Sequence, residues 1–321
     1  MGLPFLNGKA KTRERVIAID LGGRATKAVY LQRRGEGFSL VNFAILEAPI
    51  YEKTLSPELL GEHLKSVTRA LDAGRTRQVT LSVGVTDAVF RQVEIPFMPL
   101  ADMRLMLKFN SKNYLQQDLS DHVFDCCFAP GGPSSQAAEG SKPSGDSKKH
   151  KVIVTAARKQ LLGELETAAK AAGLVADQVV PGLIGPANAF ELAEPEIFAK
   201  EVVALVDIGF KNTSITILDS GELILNRVVG IGGDHITSGL AETMGVGYTE
   251  AENIKVGMPS EVQQSLESLL NPLGRELRAS IDFFENQRDK TVSQIFISGG
   301  SARSEHIIQA LHIELMVACK S

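Results

Sequence analysis

The sequence predicts an α/β protein made of two duplicated halves, each built on a mixed sheet. Short stretches with apolar residues at every second position, typical of strands, alternate with stretches that carry an apolar stripe at helical spacing. The halves align at one constant offset, which pairs Asp20 with Asp207, Gly22 with Gly209 and Thr26 with Thr213. An internal repeat on this scale indicates duplicated structural units, and 321 residues are enough for two domains.

Composition excludes several classes of function. The net charge is −4, aromatic residues make up 6% of the chain and tryptophan is absent, which argues against nucleic-acid binding through a basic surface or base stacking. No apolar stretch reaches the roughly 18 residues of a transmembrane helix. The three cysteines, Cys126, Cys127 and Cys319, form neither a disulfide framework nor a zinc motif. We therefore expect a cytoplasmic protein.

In the first half, three successive strands are predicted from "VIAID", "ATKAVYL" and "FSLVNFAIL". Ser56 is a candidate helix N-cap, and Pro57 suits the first helical position that follows it. One face of that helix then carries four apolar residues, Leu60, Leu64, Val67 and Leu71. The alternation in "QVTLSVGV" predicts a fourth strand.

An inserted subdomain is predicted at residues 87–157. It contains a strand that ends in "EIPFMP", a helix over residues 101–117, and the strands "HVFDCCFA" and "KVIVTAA". Between these last two strands, residues 130–150 are rich in glycine, serine, proline and lysine, which predicts a mobile loop. A helix that begins near Leu161 then returns the chain to the first half.

The second half repeats the three opening strands and continues into helices. The pair Asn271-Pro272 predicts an interruption of the long helical stretch between Val262 and Phe284, and a last helix is predicted near Ser304. Because the sequence ends soon afterwards, we expect the last domain to lack its closing strand and helix. The predicted segments are residues 1–86, 87–157, 158–199, 200–244, a helical subdomain at 245–289, and 290–321.

A candidate phosphate site recurs where strands end in glycine. The three places carry Asp20, Gly22 and Gly23; Asp207, Gly209, Asn212 and Thr213; and Gly299, Gly300 and Ser301. A single Asp-x-Gly after a strand is ordinarily only a turn, but glycine lets backbone N–H groups approach a ligand, and here the pattern is duplicated. We expect Lys27 to balance phosphate charge. One carboxylate from each half, Asp20 and Asp207, suits Mg²⁺, which binds few carboxylates beside phosphate oxygens.

These motifs resemble those of the actin-like ATPase superfamily. "AIDLGGRATK" is similar to its first phosphate motif, "LVDIGFKNTS" to its second and "ISGGSA" to its adenosine motif. "AENIK" resembles the stretch whose Glu and Lys line the nucleoside pocket, here Glu252 and Lys255; the alternative is a solvated helix face. Through "EIPFMP", "RVVGIGGDHIT" and the inserted subdomain, residues 15–317 most resemble the PilM family, which is related to the division protein FtsA.

The resemblance implies an actin-like fold, two halves around a nucleotide cleft, with ATP and Mg²⁺ as ligands. It also implies a cytoplasmic scaffold of type IV pilus or related secretion machinery. Such a scaffold docks the cytoplasmic tail of a PilN-like inner-membrane protein and is held by it at the inner face of the membrane. Self-association stays open. The alternatives are an FtsA-like filament at the membrane and a small-molecule kinase of the same superfamily.

Two departures from the superfamily pattern bear on activity. Gly23 stands where a serine or threonine is usual, so one hydroxyl contact to phosphate is missing. The stretch "VVPGLIGPANAF" occupies the segment in which hydrolytic relatives carry a carboxylate or glutamine that orients water, and it has neither. We therefore expect at most slow ATP hydrolysis.

We also expect a groove between the first half and the inserted subdomain, where the partner's tail lies. The residues that suggest it are Ile95, Phe97, Met98, Met103, Met106 and Leu107. They are more apolar than a short loop requires, and methionines suit a surface that adapts to a bound peptide. The alternative is that these side chains only attach the subdomain to its neighbour.

Overall fold

The computed structural model describes residues 13–35, 37–49, 56–129, 149–257 and 260–321. The chain divides into two compact units, Met1–Gly182 and Leu183–Ser321. Of the loop predicted at residues 130–150, all but the last two residues lie outside the described part of the chain. No helix in the described ranges is both long and apolar enough to cross a bilayer.

The first unit contains a five-stranded sheet whose strands are β1 (Arg15–Leu21), β2 (Ala25–Arg34), β3 (Gly37–Glu47), β4 (Gln78–Val83) and β8 (Val175–Pro181). Their order is β3-β2-β1-β4-β8. The first three are antiparallel, whereas β4 pairs in parallel with both β1 and β8. Helices α1 (Pro57–Ala70) and α3 (Lys159–Ala171) pack on one face of this sheet, where Ile17, Leu64 and Leu165 are buried together.

The start of α1 follows its sequence signal. The Oγ of Ser56 accepts a 3.3 Å hydrogen bond from the backbone N–H of Leu59, and Pro57 occupies the first turn. This satisfies one of the N–H groups that a helix start leaves without an intrahelical partner. The predicted apolar face is confirmed, since Leu60, Leu64 and Val67 are all buried.

The opposite face of the first sheet is apolar and exposed along β3. Five large side chains are between 49% and 61% exposed there: Phe38, Leu40, Val41, Phe43 and Ile45. Their partners on β2 include Val29 and Leu31, whose side chains point away from the face that α1 covers because Ala28 and Tyr30, on alternate positions, are in the core.

The inserted part of the first unit is a second, three-stranded sheet. Its antiparallel strands β5 (Ala88–Pro96), β6 (His122–Phe128) and β7 (Lys149–Arg158) lie in the order β5-β7-β6, and α2 (Leu100–Leu115) packs on it.

One set of residues does not lie where the sequence suggested. Ile95, Met103 and Leu107 are 0% exposed in the core between α2 and the sheet, so they do not line a groove. The reason is that Met103 and Leu107 are one helical turn apart and form the buried stripe of α2. Met98 and Met106 are only partly buried against the same core.

The second unit repeats the topology of the first. Its strands are β9 (Val202–Ile208), β10 (Thr213–Asp219), β11 (Glu222–Val229), β12 (Gln294–Gly299) and β13 (Ala318–Lys320). They lie in the order β11-β10-β9-β12-β13, with the first three antiparallel and the last two added in parallel. The duplication predicted from the aligned halves therefore extends to strand order and direction.

Helices cover both faces of the second sheet. They are α4 (Gly185–Ala193), α5 (Pro195–Lys200), α6 (Gly233–Met244), α7 (Tyr248–Gly257), α8 (Gln263–Arg288) and α9 (Glu305–Leu315). On one face, the ring of Phe190 in α4 lies 4.6 Å from that of Phe296 in β12. On the other, Ile295 and Ile297 share a core with α6, α8 and α9, because neighbouring residues of a strand point to opposite faces.

Two expectations for the second half were wrong. The helix α8 is not interrupted at Pro272 but continues through it, because Leu270 and Leu273, on either side, are buried in the core and hold the helix against the sheet. The sheet also has the closing strand that was expected to be missing: β13 pairs with β12, and Cys319 lies opposite Ile295. The finer division of the halves into subdomains stays a prediction.

Candidate functional site

The first hairpin joins β1 to β2 and carries four of the predicted residues. In its register Asp20 lies opposite Lys27, and Oδ2 of Asp20 is 3.7 Å from Nζ of Lys27. The two side chains are 44% and 58% exposed, so both are open to a ligand. A Cβ added at Gly22 would lie 2.6 Å from the carbonyl oxygen of Ala25; the tight turn therefore needs glycine there, and Gly23 lies exposed beside it.

A histidine anchors this hairpin from the core side of the sheet. Nε2 of His63, on α1, lies 2.8 Å from Oγ1 of Thr26, and Thr26 is 1% exposed. Burial lowers the pKa of His63, because the charged imidazolium loses hydration inside the protein. No local sequence pattern predicts this contact, because it joins residues far apart in the chain.

The second hairpin joins β9 to β10 in the same way. The N–H of Gly209 donates a 3.0 Å hydrogen bond to the carbonyl of Asn212, and a Cβ at Gly209 would lie 2.9 Å from that oxygen. Oγ1 of Thr213 donates a 2.6 Å bond to the carbonyl of Ile231. The hydroxyl of Ser298, in β12, donates a 2.9 Å bond to Oδ1 of Asp207.

The start of α6 packs directly on the second hairpin. The N–H of Gly233 donates a 2.9 Å hydrogen bond to the carbonyl of Gly209, and the N–H of Asp234 a 2.8 Å bond to that of Phe210. A Cβ at Gly232 would lie 2.4 Å from the Phe210 oxygen. The glycine therefore permits the close approach that brings the positive end of the α6 dipole to the hairpin.

The C-terminal end of β12, which carries Gly299 and Gly300, lies beside the second hairpin. Gly299 has φ +91°, and a Cβ there would lie 2.3 Å from the carbonyl oxygen of Ile208. A Cβ at Gly300 would meet open space, whereas one at Gly233 would lie 3.2 Å from Oγ of Ser301. Gly299 is thus required by the fold itself, and Gly300 is the glycine that faces open space.

Glu252 and Lys255 form a buried ion pair on α7. Nζ of Lys255 lies 2.6 Å from Oε2 of Glu252 and 2.7 Å from Oγ1 of Thr237 on α6. Lys255 is only 9% exposed, so a solvated helix face is excluded for this residue. An ammonium group buried to this degree needs a partner for its charge.

The predicted residues therefore fall into two groups, one in each unit. Those of the first unit are Asp20, Gly22, Gly23 and Lys27. Those of the second are Asp207, Gly209, Asn212, Thr213, Glu252, Lys255, Gly299, Gly300 and Ser301. Sequence reasoning missed His63, Thr237 and Ser298. Among the described residues, no three His, Cys, Asp or Glu side chains cluster to hold a metal.

A cavity of about 170 Å³ in the first unit is lined by residues of both of its sheets. The inserted sheet contributes Val123 and Phe124 of β6 and residues 155–157 of β7, and the first sheet contributes Val179 and Val180 of β8. Of these strands, β6 and β8 are each the last in their sheet, which leaves their outer edges without a strand partner among the described residues. Asp125 also lines the cavity.

Two ion pairs fix the acidic side chains of this cavity. Nε of Arg104 donates a 2.8 Å hydrogen bond to Oδ1 of Asp125, and Arg13 forms an ion pair with Asp177. The cavity therefore combines apolar walls with carboxylates that are already held in place.

Solved structures share this architecture. The chain superimposes on the PilM-PilN type IV pilus biogenesis complex with a TM-score of 0.79 and 22% identity, over 95% of this chain and 87% of that chain. For the ethanolamine utilization protein EutJ from Carboxydothermus hydrogenoformans, the TM-score is 0.54 and the identity 15%, over 96% of this chain and 84% of that chain. For MreB 5 of Spiroplasma citri bound to AMPPNP, the TM-score is 0.52 and the identity 12%, over 97% of this chain and 91% of that chain.

These likenesses confirm the actin-like fold, and a family model goes further than the fold. The model described as type IV pilus assembly protein PilM matches residues 18–320, which is nearly the whole described chain. With both duplicated hairpins and the inserted subdomain inside the match, this chain belongs to the PilM family of type IV pilus assembly proteins.

Proposed function

We propose that this protein is a nucleotide-dependent scaffold of type IV pilus assembly. It binds ATP with Mg²⁺ at its duplicated hairpins and docks the cytoplasmic tail of a PilN-like inner-membrane protein. The observation that carries the nucleotide part is the convergence, in the second unit, of the Gly209 turn, the N-terminus of α6, the open backbone at Gly300 and the buried Lys255.

The chemistry of these residues fits a nucleotide. The positive end of the α6 dipole and the open backbone at Gly300 suit phosphate oxygens. Asp20 and Asp207 are the carboxylates that would hold Mg²⁺, and Lys27 would balance phosphate charge. Glu252 and Lys255 would line the nucleoside, as the superfamily resemblance implies. MreB 5, a protein of the same fold, is bound to AMPPNP, which supports a nucleotide as the ligand.

The partner part of the proposal concerns the cavity between β6 and β8. An extended peptide can add to an exposed strand edge through main-chain hydrogen bonds, while apolar walls select its side chains. Membership of the PilM family and the solved PilM-PilN complex support a PilN-like tail as the occupant. Such docking would place this chain at the inner face of the cytoplasmic membrane. No observation favours the filament or kinase alternatives.

Labelled ATP titrated against the wild type and Asp207→Ala tests the nucleotide part. We expect Mg²⁺-dependent binding by the wild type and a loss of at least tenfold in the variant, on the order of one charge-assisted contact. Equal affinity of the two proteins would reduce the second hairpin to a structural turn and contradict the proposal.

Hydrogen exchange with a synthetic peptide of a PilN-like tail tests the partner part. Protection should appear at residues 122–128 and 175–181. Val123→Glu, which places a charge on the 48% exposed edge of β6, should abolish binding, whereas Leu105→Glu, at a 55% exposed position of α2 outside the cavity, is the matched control. Protection confined to the second unit, or none at saturating peptide, would remove the cavity from the proposal.

A further inference from the structure

Thr237 lies at the centre of a buried polar cluster that the sequence did not reveal. The residue is 0% exposed on α6. Its Oγ1 lies 2.5 Å from Oε2 of Glu252, 2.7 Å from Nζ of Lys255 and 3.0 Å from the carbonyl oxygen of Gly233. A hydroxyl has one proton to donate, so Thr237 accepts from the ammonium and donates to one of the two oxygens.

The cluster provides acceptors for only two of the three N–H groups of the Lys255 ammonium. An ammonium group has three N–H donors, and those of Lys255 go to Thr237 and to Glu252. Among the residues that the structure describes, none provides a hydrogen-bond partner for the third. A buried charged donor without a partner is costly, and a bound ligand that accepts a hydrogen bond would satisfy it.

Thr237 also connects this cluster to the second hairpin. The carbonyl of Gly233 lies within hydrogen-bond distance of Thr237, and the N–H of the same residue donates to the carbonyl of Gly209. A short path of hydrogen bonds therefore runs from the hairpin turn through the first turn of α6 to Lys255 and Glu252. A change at Thr237 alters the ion pair without touching the hairpin itself.

We propose that Thr237 is a positioning residue that holds Lys255 and Glu252 in the geometry needed to bind the nucleoside of the bound nucleotide. The inference rests on the proposed nucleotide function. Without the hydroxyl, Lys255 keeps its ion pair with Glu252 but loses Thr237 as an acceptor, and the Glu252 carboxylate loses its contact with Thr237. The pair then turns away from the ligand, whereas the hairpin contacts to phosphate persist.

The test compares Thr237→Val, which keeps the side chain's shape and removes the hydroxyl, with Thr237→Ser, which keeps the hydroxyl. Thr216→Val is the matched control, since Thr216 is 2% exposed and its hydroxyl accepts a hydrogen bond from Asn226 in the same unit. Binding of Mg-ATP and of Mg-tripolyphosphate, which has phosphates but no nucleoside, is measured for each protein.

We expect Thr237→Val to weaken ATP binding about tenfold or more, the scale of a hydrogen bond to a charged group. Thr237→Ser and Thr216→Val should stay within about threefold of the wild type, and tripolyphosphate binding should not change. If Thr237→Val fails to fold, Thr237→Ala carries the same expectation.

The outcomes separate the inference from the proposed function. A wild type that binds no nucleotide contradicts the proposed function. If the wild type binds Mg-ATP and Thr237→Val binds it equally well, the role of Thr237 is overturned and the proposed nucleotide function is not. Equal losses in Thr237→Val and Thr216→Val, or an equal loss of ATP and tripolyphosphate binding, also overturn it, because they indicate only general damage to the second unit.

Discussion

The hydroxyl of Ser298 donates a hydrogen bond of 2.9 Å to the carboxylate of Asp207. These residues lie opposite each other in the parallel pair of β9 and β12. In the first sheet Asp20 lies opposite Ser82 in the parallel pair of β1 and β4. The duplication thus places a serine beside each of the two aspartates that we propose as Mg²⁺ ligands.

This relationship predicts the effect of Ser298→Ala. Removing the hydroxyl frees the carboxylate of Asp207 to rotate, and outer-shell partners of metal ligands typically contribute about tenfold to metal affinity. We expect Mg-ATP to bind about tenfold more weakly, with folding unchanged. Titration of Mg²⁺ at fixed ATP measures it. Ser293→Ala, which removes a hydroxyl from the residue just before the same strand, is the control, and an equal loss in both variants would contradict the role.

The two adjacent glycines at the end of β12 predict opposite effects of alanine. Gly299→Ala places an alanine at a positive φ, and its Cβ would clash with the carbonyl of Ile208. This variant should lower the free energy of unfolding by about 2 kcal/mol or more. Gly300→Ala meets open space and should stay within about 0.5 kcal/mol of the wild type. We expect it instead to weaken ATP binding. Urea unfolding and ATP titration of both variants check this; equal destabilisation would contradict it.

The contact between His63 and Thr26 predicts a loss of stability in mild acid. Burial lowers the pKa of His63 in the folded state, whereas the unfolded chain takes up the proton near pH 6.5. Below that pH the unfolded state binds more protons, so the free energy of unfolding falls as the pH falls. His63→Gln should flatten this dependence between about pH 7 and 5. An unchanged slope in urea unfolding would show that His63 does not contribute to it.

The stretch that runs from the end of β8 into α4 predicts slow hydrolysis. Residues 179–190 contain no carboxylate or glutamine side chain, and the orientation of the attacking water is a major contribution to phosphoryl transfer. We expect turnover far below the ordinary enzyme median of about 10 per second. Phosphate release under saturating Mg-ATP measures it. A rate near that median would contradict the scaffold proposal and indicate a base elsewhere.

Local patterns were sufficient to predict most of the strands and helices and both hairpins. Asp20 and Asp207 stand out because each ends an apolar strand before a glycine turn, and a turn is specified by the few residues that form it. The serine beside Asp207 could also have been predicted, since aligning "TLSVG" with "FISGG" places Ser82 on Ser298.

What the sequence did not predict depends on packing between distant segments. Thr237 meets Lys255 only because α6 and α7 pack together, and His63 meets Thr26 across 37 positions. Pro272 looked like a helix end because its local preference is strong, but the buried leucines around it outweigh that preference. Met103 suggested an adaptable surface, and the same flexibility equally suits a core position, which is where it lies.

The exposed apolar side chains of β3 make the surface of the first unit sensitive to solvent conditions. Precipitating salts strengthen the association of exposed apolar surface, and chaotropic agents weaken it. Retention on a hydrophobic-interaction column should therefore depend on Phe43 and Ile45, which are 61% and 56% exposed. Replacing both with threonine keeps the preference for a strand and should shorten retention and raise the salt concentration at which the protein precipitates.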